Sequence, residues 1–172
     1  MNDNKSQLLI ISDRNIKLNY DYYNLIVDYM NKHHGVYVWS DNDPYYQDSN
    51  EILRRKFSVR MNGNYYGDRV LGVQTEYGQS GIIKDHPITT GIQNFYEGIT
   101  ISNVEIKNGL KPLIYDSSNN VVTAYYDSDD MRVLIDGGFT RLYWKWDSAG
   151  TDRYVVNAAA WLANIEYFGY EQ

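Results

Sequence analysis

The chain has 172 residues and no cysteine, which suffices for one domain with its own core and excludes disulfides, thiolate metal sites and a cysteine nucleophile. Its formal net charge of −6 disfavours nucleic-acid binding, because phosphate affinity relies on clustered Lys and Arg. No apolar segment reaches the ~18 residues of a membrane span. The sequence therefore predicts a cytoplasmic protein with neither nucleic-acid nor membrane partners.

The first part of the chain predicts two strands, each followed by a helix. Continuous apolar runs at residues 8–11 and 36–39 are typical of strands that are buried on both faces. Between them, Asn19 suits a helix N-cap and Gly35 suits the helix end, with apolar residues at every third or fourth position. The spacing of the acids at 48 and 51 is that of a capping box, which predicts a second, shorter helix.

The second part predicts further strands and a closing helix. Strands are expected at residues 99–101, 112–115, 121–126 and 132–135. The linkers between the last three are too short for a crossover helix, so these strands should be antiparallel. The closing helix has an apolar face formed by Val155, Ala158, Ala159, Leu162 and Ile165, and Thr151 or Asp152 suits its N-cap. We expect one α/β domain over residues 1–172, with a partly parallel sheet and antiparallel C-terminal strands.

The polar turn that follows the second strand is the main candidate site. Ligands of open α/β sheets bind beyond the carboxyl ends of the strands, and residues 40–46 occupy such an end. The candidate ligand-binding residues of this turn are Asp41, Asn42, Asp43 and Tyr45. Asp41 and Asp43, together with Asp136 from the end of the last strand, are candidate ligands of Mg²⁺ or Ca²⁺. The alternative is that these side chains only form the turn by accepting hydrogen bonds from nearby backbone amides.

A second candidate region follows the last strand. Gly137 and Gly138 permit a close approach of the backbone, Arg141 carries a guanidinium fork, and Thr151 stands where helix amides attract negative charge. Together with Asp136 these residues predict a site for a phosphate or carboxylate. Their alternative role is structural, as a bend, an ordinary ion pair and a cap. Glu97, directly before a strand, either faces the same crevice or is a surface carboxylate.

Three stretches of sequence carry a resemblance to a known superfamily. They are residues 33–40 (HHGVYVWS), residues 86–92 (HPITTGI), and residues 132–138 (RVLIDGG) with 157–162 (NAAAWL). In this order they resemble the class I glutamine amidotransferase-like superfamily and its ThuA-like branch. The resemblance implies a three-layer, flavodoxin-like sandwich that lacks the usual first strand-helix-strand portion. A shortened sheet exposes an edge, so we expect a protein partner or a homo-oligomer.

The catalytic positions of the family are altered in this chain. Ser40 or Asp41 stands where the family has its cysteine nucleophile, and residues 138–141 contain no histidine. Glutamine hydrolysis by the family mechanism is therefore excluded, because it needs a thiolate with an activating histidine. A serine hydrolase would need Ser40 to be activated by His86, without the support of a Gly-x-Ser-x-Gly elbow.

Two functions stay open at this point. The first is a non-catalytic amidotransferase-like module that binds a partner protein or a small polar ligand. The second is a carboxylate-dependent or metal-assisted hydrolase that uses Asp41, Asp43 and Asp136 at the strand ends. A ligand on two of these acids would favour the hydrolase, because carboxylates are the groups that hold hard cations.

Overall fold

The computed structural model describes residues 7–11, as backbone only, and residues 18–165. In these ranges the strands are β1 (Gln7–Ile11), β2 (Gly35–Trp39), β3 (Met61–Tyr66), β4 (Val70–Leu71), β5 (Gly81–Ile82), β6 (Phe95–Tyr96), β7 (Thr100–Val104), β8 (Lys111–Tyr115), β9 (Val121–Ser128) and β10 (Met131–Asp136). The α-helices are α1 (Tyr20–Asn31), α2 (Gln47–Phe57) and α3 (Thr151–Leu162). None of the helices in these ranges is long and apolar enough to cross a membrane.

The main sheet is mixed, with the strand order β1-β2-β10-β9-β8-β5. β1, β2 and β10 are parallel, whereas β10, β9, β8 and β5 pair antiparallel. The parallel start and the antiparallel C-terminal strands that the sequence predicts are thus confirmed. β2 and β10 are neighbours in register, with Trp39 opposite Asp136. The carboxyl ends of these two strands therefore lie side by side.

Both faces of β2 are buried, which explains its uninterrupted apolar sequence. Val36 and Val38 belong to the core that contains the inner faces of α1 and α2. Tyr37 and Trp39 belong to a second core, which contains α3. Successive side chains of a strand point to opposite faces of its sheet, so the two cores lie on opposite sides of β2.

The first helix has its expected start and part of its expected buried face. The Asn19 side chain accepts a hydrogen bond from the Asp21 amide, as an N-cap should. Of the apolar residues that recur at every third or fourth position, Ile26 and Met30 are buried, whereas Tyr22 and Leu25 are 56% and 61% exposed. Gly35 does not end this helix but begins β2, where an added Cβ would lie 2.2 Å from the Leu162 carbonyl oxygen.

The expected caps of the other two helices are absent. The N-cap of α2 is Tyr46, and it makes no side-chain cap bond. Asp48 instead accepts hydrogen bonds from the Tyr23 hydroxyl at 2.5 Å and the Leu18 amide at 3.1 Å, so it links α2 to α1. The N-cap of α3 is Gly150, likewise without a side-chain bond, and Thr151 is the first residue of that helix.

Candidate functional site

A cleft of about 510 Å³ opens where β2 and β10 end. One wall is the polar turn after β2, which contributes Ser40, Asp41, Asn42 and Tyr45. The opposite wall follows β10 and contains Phe139, Thr140 and Tyr143, while Ile99 and Thr100 come from the start of β7. Four candidates from the sequence therefore lie together at this cleft. Asp43 is exposed and is outside the lining.

Ser40 is held in place by both neighbouring segments. Its amide donates to the Asp136 carbonyl at 2.7 Å, and its carbonyl accepts from the Phe139 amide at 3.1 Å. The Ser40 hydroxyl is buried and hydrogen-bonded to the Ser49 hydroxyl of α2. Ser40 thus extends the pairing of β2 with β10 and ties the turn to α2.

Asp41 carries the carboxyl group of the cleft wall. It is partly buried, and its Oδ1 accepts a hydrogen bond of 2.9 Å from the Asn42 amide. Burial raises the pKa of Asp41 to about 6, with a smaller contribution from the negative charge of Asp136. The Asn42 amide and the Arg141 guanidinium act against this rise of the pKa. Asp41 is therefore mostly ionised at neutral pH although its charge is poorly solvated.

Asn42 and Asp43 attach the turn to β3. The Asn42 side-chain amide donates to the Asp43 carbonyl at 3.0 Å and to the Asn64 side chain at 2.8 Å. The Asp43 amide donates to the Gly63 carbonyl at 2.9 Å. The bond expected from the turn-forming alternative is the one that Asp41 Oδ1 accepts from the Asn42 amide, whereas Asn42 and Asp43 tie the turn to β3 through donated bonds.

The structure corrects the roles assigned to Asp136 and Arg141. Both side chains are fully buried and form an ion pair. Asp136 Oδ1 also accepts from the Gly138 amide at 2.9 Å, and its Oδ2 accepts from the Tyr154 hydroxyl at 2.7 Å. The Tyr37 hydroxyl lies 3.0 Å from the same Oδ2 and 2.9 Å from the Tyr154 oxygen. Both carboxylate oxygens of Asp136 therefore accept hydrogen bonds from groups inside the protein.

The other two nitrogens of Arg141 also donate hydrogen bonds inside the protein. Its Nε donates to the Tyr96 carbonyl at 2.9 Å and its Nη2 to the Glu97 carbonyl at 2.6 Å. The guanidinium carbon lies 4.5 Å from the centre of the Phe95 ring. These contacts leave no exposed fork for an anion. Arg141 instead fixes the segment after β10 to the loop that precedes β7.

Gly137 and Gly138 allow the backbone after β10 to pack closely against neighbouring backbone of the same protein. A Cβ at Gly137 would lie 2.0 Å from the Ser102 carbonyl oxygen, and one at Gly138 would lie 2.4 Å from that of Glu97. The close backbone approach expected from these glycines is therefore real, but its partner is β7 and the loop before it. A bound anion is not needed to explain either glycine.

Glu97 and Thr151 are buried away from the lining of the cleft. Glu97 accepts hydrogen bonds from the Ser117 amide at 2.7 Å, the Ser117 hydroxyl at 2.9 Å and the Arg69 amide at 3.1 Å. Burial raises the pKa of Glu97 above its ordinary value. Thr151 is fully buried, and its hydroxyl has no hydrogen-bond partner. Glu97 joins the loop before β7 to Arg69 and Ser117 and is no surface carboxylate.

His86 and the Ser40 hydroxyl contact different parts of the protein. The His86 ring packs against Tyr125 and against Trp161 of α3, whereas the Ser40 hydroxyl bonds the Ser49 hydroxyl of α2. Burial lowers the pKa of His86 to about 4, and its Nδ1 accepts from the Ile88 amide at 3.2 Å. The structure therefore does not pair His86 with Ser40.

The three acids proposed as metal ligands do not form a common site. Asp43 is exposed, while Asp136 is engaged with Arg141 and two tyrosines. Across residues 18–165 no group of three or more histidine, aspartate or glutamate side chains is placed to hold a metal ion. The cleft therefore contains Asp41 without the other two carboxylates.

Apart from Tyr45, the aromatic residues of the cleft were not predicted from the sequence. Trp39, Phe139 and Tyr143 line it together with Tyr45, and the Trp39 indole N–H is buried without a hydrogen-bond partner. For Trp39 the available signal was its position as the last residue of a strand. Phe139 and Tyr143 reach the cleft because β10 ends beside β2, and that pairing is not visible in the local sequence.

Comparison with known proteins gives a fold likeness. No protein-family model matches the chain, and no curated protein matches it in sequence. Its fold is similar to that of the cytoplasmic protein STM1381 from Salmonella typhimurium LT2, with a TM-score of 0.53 and 12% sequence identity. The match covers 89% of this chain and 62% of the Salmonella chain. At this identity the likeness concerns the fold alone.

Proposed function

We propose that the chain is a non-catalytic, amidotransferase-like module that binds a small polar ligand in the cleft at the ends of β2 and β10. One observation carries this proposal: the partly buried Asp41 carboxyl shares a cleft of about 510 Å³ with four aromatic residues. Small-molecule sites are concave, mostly apolar, and equipped with a few polar groups that fix orientation. The cleft is of a size typical for such sites, and its lining combines five aromatic or aliphatic residues with five polar ones.

The position of the resembling segments supports the family proposal. Residues 33–40 and 132–138 belong to or adjoin β2 and β10, which are neighbouring parallel strands. The resemblance assigns the nucleophile turn to the first segment and the histidine to the stretch after the second. We further propose a three-layer, flavodoxin-like sandwich, because the cores on opposite sides of β2 contain different helices.

Binding is favoured over hydrolysis by the state of the polar groups. The Ser40 hydroxyl is bonded to Ser49, and Asp136 is bonded to Arg141 and two tyrosine hydroxyls. General acid–base catalysis needs a group within hydrogen-bond reach of the reacting atoms, commonly with a nucleophile or a second acid beside it. Among the described residues that line the cleft, Asp41 is the one ionisable carboxyl group, and none is a histidine.

The proposal is tested by screening small polar compounds against the ¹⁵N-labelled protein. We expect at least one compound to shift the amide resonances of Asn42, Thr100 and Tyr143 together, because these residues line one cleft. Tyr143→Ala should weaken that binding. Tyr22→Ala is the matched control, since Tyr22 is 56% exposed and Tyr143 62%, but Tyr22 lies on α1, outside the cleft. Shifts that cluster away from the cleft, or equal effects of the two variants, would overturn the proposal.

Association with a protein partner or a second copy stays a prediction. Among the described residues, β1 is the outer strand of the main sheet and pairs with β2 on one side. An unpaired strand edge is a template for pairing with another chain. Light scattering at tens of micromolar protein measures the oligomeric state, and a monomer would count against a homo-oligomer.

A further inference from the structure

We propose that the ligand of this cleft is a small organic cation, held between the Asp41 carboxylate and the aromatic wall. This inference rests on the proposed function and adds the chemical class of the ligand. Its basis is a mismatch among the described residues that line the cleft: they carry one negative charge, no positive partner for it, and aromatic rings that favour cations.

The charge of Asp41 is not neutralised by an ion pair within residues 18–165. Asp41 forms no ion pair with any Lys or Arg of residues 18–165, and its hydrogen bond is to the adjacent Asn42 amide. Arg141, the cation that influences it, is already bound to Asp136 and to two backbone carbonyls. A partly buried carboxylate without a partner is costly, because burial removes water without returning an opposite charge. A cationic ligand would supply that missing charge.

Four aromatic side chains line the cleft. Tyr45 lines the cleft from the turn after β2, Phe139 and Tyr143 line it from the segment after β10, and Trp39 lines it at the end of β2. The face of an aromatic ring carries partial negative charge and attracts cations by about 0.5–2 kcal/mol at each contact. Tyr45 is 37% and Tyr143 is 62% exposed. These two rings are therefore accessible to a ligand.

The lining of the cleft disfavours a negatively charged ligand. Among the described residues that line the cleft there is no Lys, Arg or His. A phosphate or carboxylate would meet Asp41 without a compensating cation, and like charges in a partly desolvated site repel each other. The formal net charge of the chain is −6, which also attracts cations over longer distances. Charge complementarity thus favours an ammonium or guanidinium group.

The groups around Asp41 define how binding should depend on pH. Asp136 from β10 repels its charge, whereas Arg141 and the Asn42 amide stabilise it. Because burial raises the pKa of Asp41 to about 6, the carboxylate that attracts a cation is lost as the pH falls below that value. Affinity for a cation should therefore decrease in mild acid, and affinity for a neutral compound should not.

Two isosteric pairs of compounds test the inference. Choline and 3,3-dimethylbutan-1-ol differ by a quaternary nitrogen in place of carbon, and benzylammonium and benzyl alcohol differ by an ammonium group in place of a hydroxyl. Binding is followed by calorimetry and by the Trp39 indole N–H resonance, assigned with a Trp39→Phe variant. At about pH 7.5 we expect each cation to bind about tenfold more tightly than its neutral partner, equivalent to one strong cation contact.

Replacing Asp41 and lowering the pH both test whether Asp41 causes the preference for cations. In Asp41→Asn, and in the unaltered protein at about pH 5, the preference for the cation should fall toward the part that the aromatic rings contribute. Asp43→Asn is the matched control, because it removes an exposed carboxylate from the same turn but outside the lining and should retain the preference. Circular dichroism of each variant shows that it is folded.

The outcomes separate the inference from the proposed function. Neutral and cationic members that bind the cleft equally well would overturn the cation proposal and leave the ligand-binding function standing. A preference for benzoate over both members of its series would overturn it as well. If the cations, the neutral compounds and benzoate all leave the cleft resonances unchanged, both the inference and the proposed function fail.

Discussion

Asp136, the last residue of β10, and Arg141, five positions later, form an ion pair in which both side chains have no exposed surface. The segment between them contributes Phe139 and Thr140 to the wall of the cleft. The ion pair therefore closes a short loop onto the strand end and fixes the position of that wall. Four predictions follow from this and from the other buried polar groups.

Replacing Arg141 with methionine should reduce the free energy of unfolding by about 3–5 kcal/mol, because it leaves Asp136 as an uncompensated buried charge. Urea denaturation monitored by circular dichroism measures this loss. Arg153→Met is the control, since Arg153 is exposed on α3, and a change within about 0.5 kcal/mol is expected there. The double variant Asp136→Leu with Arg141→Met should be more stable than Arg141→Met alone. A double variant no more stable than Arg141→Met would contradict this account.

The hydroxyls of Tyr37 and Tyr154 should act on stability as a coupled pair. The Tyr37 oxygen lies 3.0 Å from Asp136 Oδ2 and 2.9 Å from the Tyr154 oxygen, so its single proton can serve one acceptor at a time. Each Phe substitution should cost about 1–3 kcal/mol, the range for hydrogen bonds to charged groups. In a double-mutant cycle the two costs should differ from additivity by more than about 0.5 kcal/mol. Additive costs would mean that the two hydroxyls bind Asp136 independently.

The fold was predictable where the local pattern and the tertiary environment agree. β2 and β10 are continuous apolar runs because both faces of each are covered, and the short linkers before β9 and β10 allow only antiparallel pairing. The strand β3, with the sequence MNGNYY, was missed because its polar residues resemble a turn. Its pairing with β7 joins residues about 40 positions apart in the chain. Local propensity does not encode a contact of that separation.

The candidate site was predictable in its location and less so in its chemistry. The polar turn after β2 follows from the rule that ligands bind at strand ends, and Asp41 lies in the cleft there. Arg141 looked like an anion fork because its acceptors, the carbonyls of Tyr96 and Glu97, are 45 and 44 residues away in the chain. A charged side chain in a sequence gives no sign of whether distant backbone groups will bury it. The same uncertainty applied to Glu97 and Asp136.

His86 should make the protein lose stability in mild acid. Burial lowers the pKa of His86 to about 4 in the folded state, whereas an unfolded histidine titrates near 6.5. Between these pH values the unfolded state binds more protons than the folded state does. The free energy of unfolding should therefore be highest above about pH 6.5, where His86 is neutral in both states, and should decrease as the pH falls toward 4. The loss should be about 2–3 kcal/mol and should shrink in His86→Gln, measured by urea denaturation from about pH 4 to 7.

The imidazole C2–H resonance of His86 provides an independent check. It should keep the position of the neutral ring down to about pH 5, because protonation requires placing a charge in a buried, poorly solvated position. A resonance that titrates near pH 6.5 would contradict the expected burial effect, and so would an identical pH dependence of the unaltered protein and His86→Gln.

Asp41→Asn should stabilise the ligand-free protein at neutral pH, with the opposite pH dependence to that of His86. Since burial raises the pKa of Asp41 to about 6, the folded state disfavours the charged form that the unfolded state carries freely above about pH 4. The gain should be about 1–2 kcal/mol above pH 6, less than the full linkage value because the carboxyl is partly solvated, and should vanish below about pH 4.

Asp43→Asn, at an exposed carboxylate, should change stability by less than about 0.5 kcal/mol. Urea denaturation of both variants across this range makes the comparison, and a pH-independent loss of stability in Asp41→Asn would show that Asp41 serves the fold. A gain would instead mean that the protein retains a destabilising charge in its cleft, as sites built for a ligand commonly do.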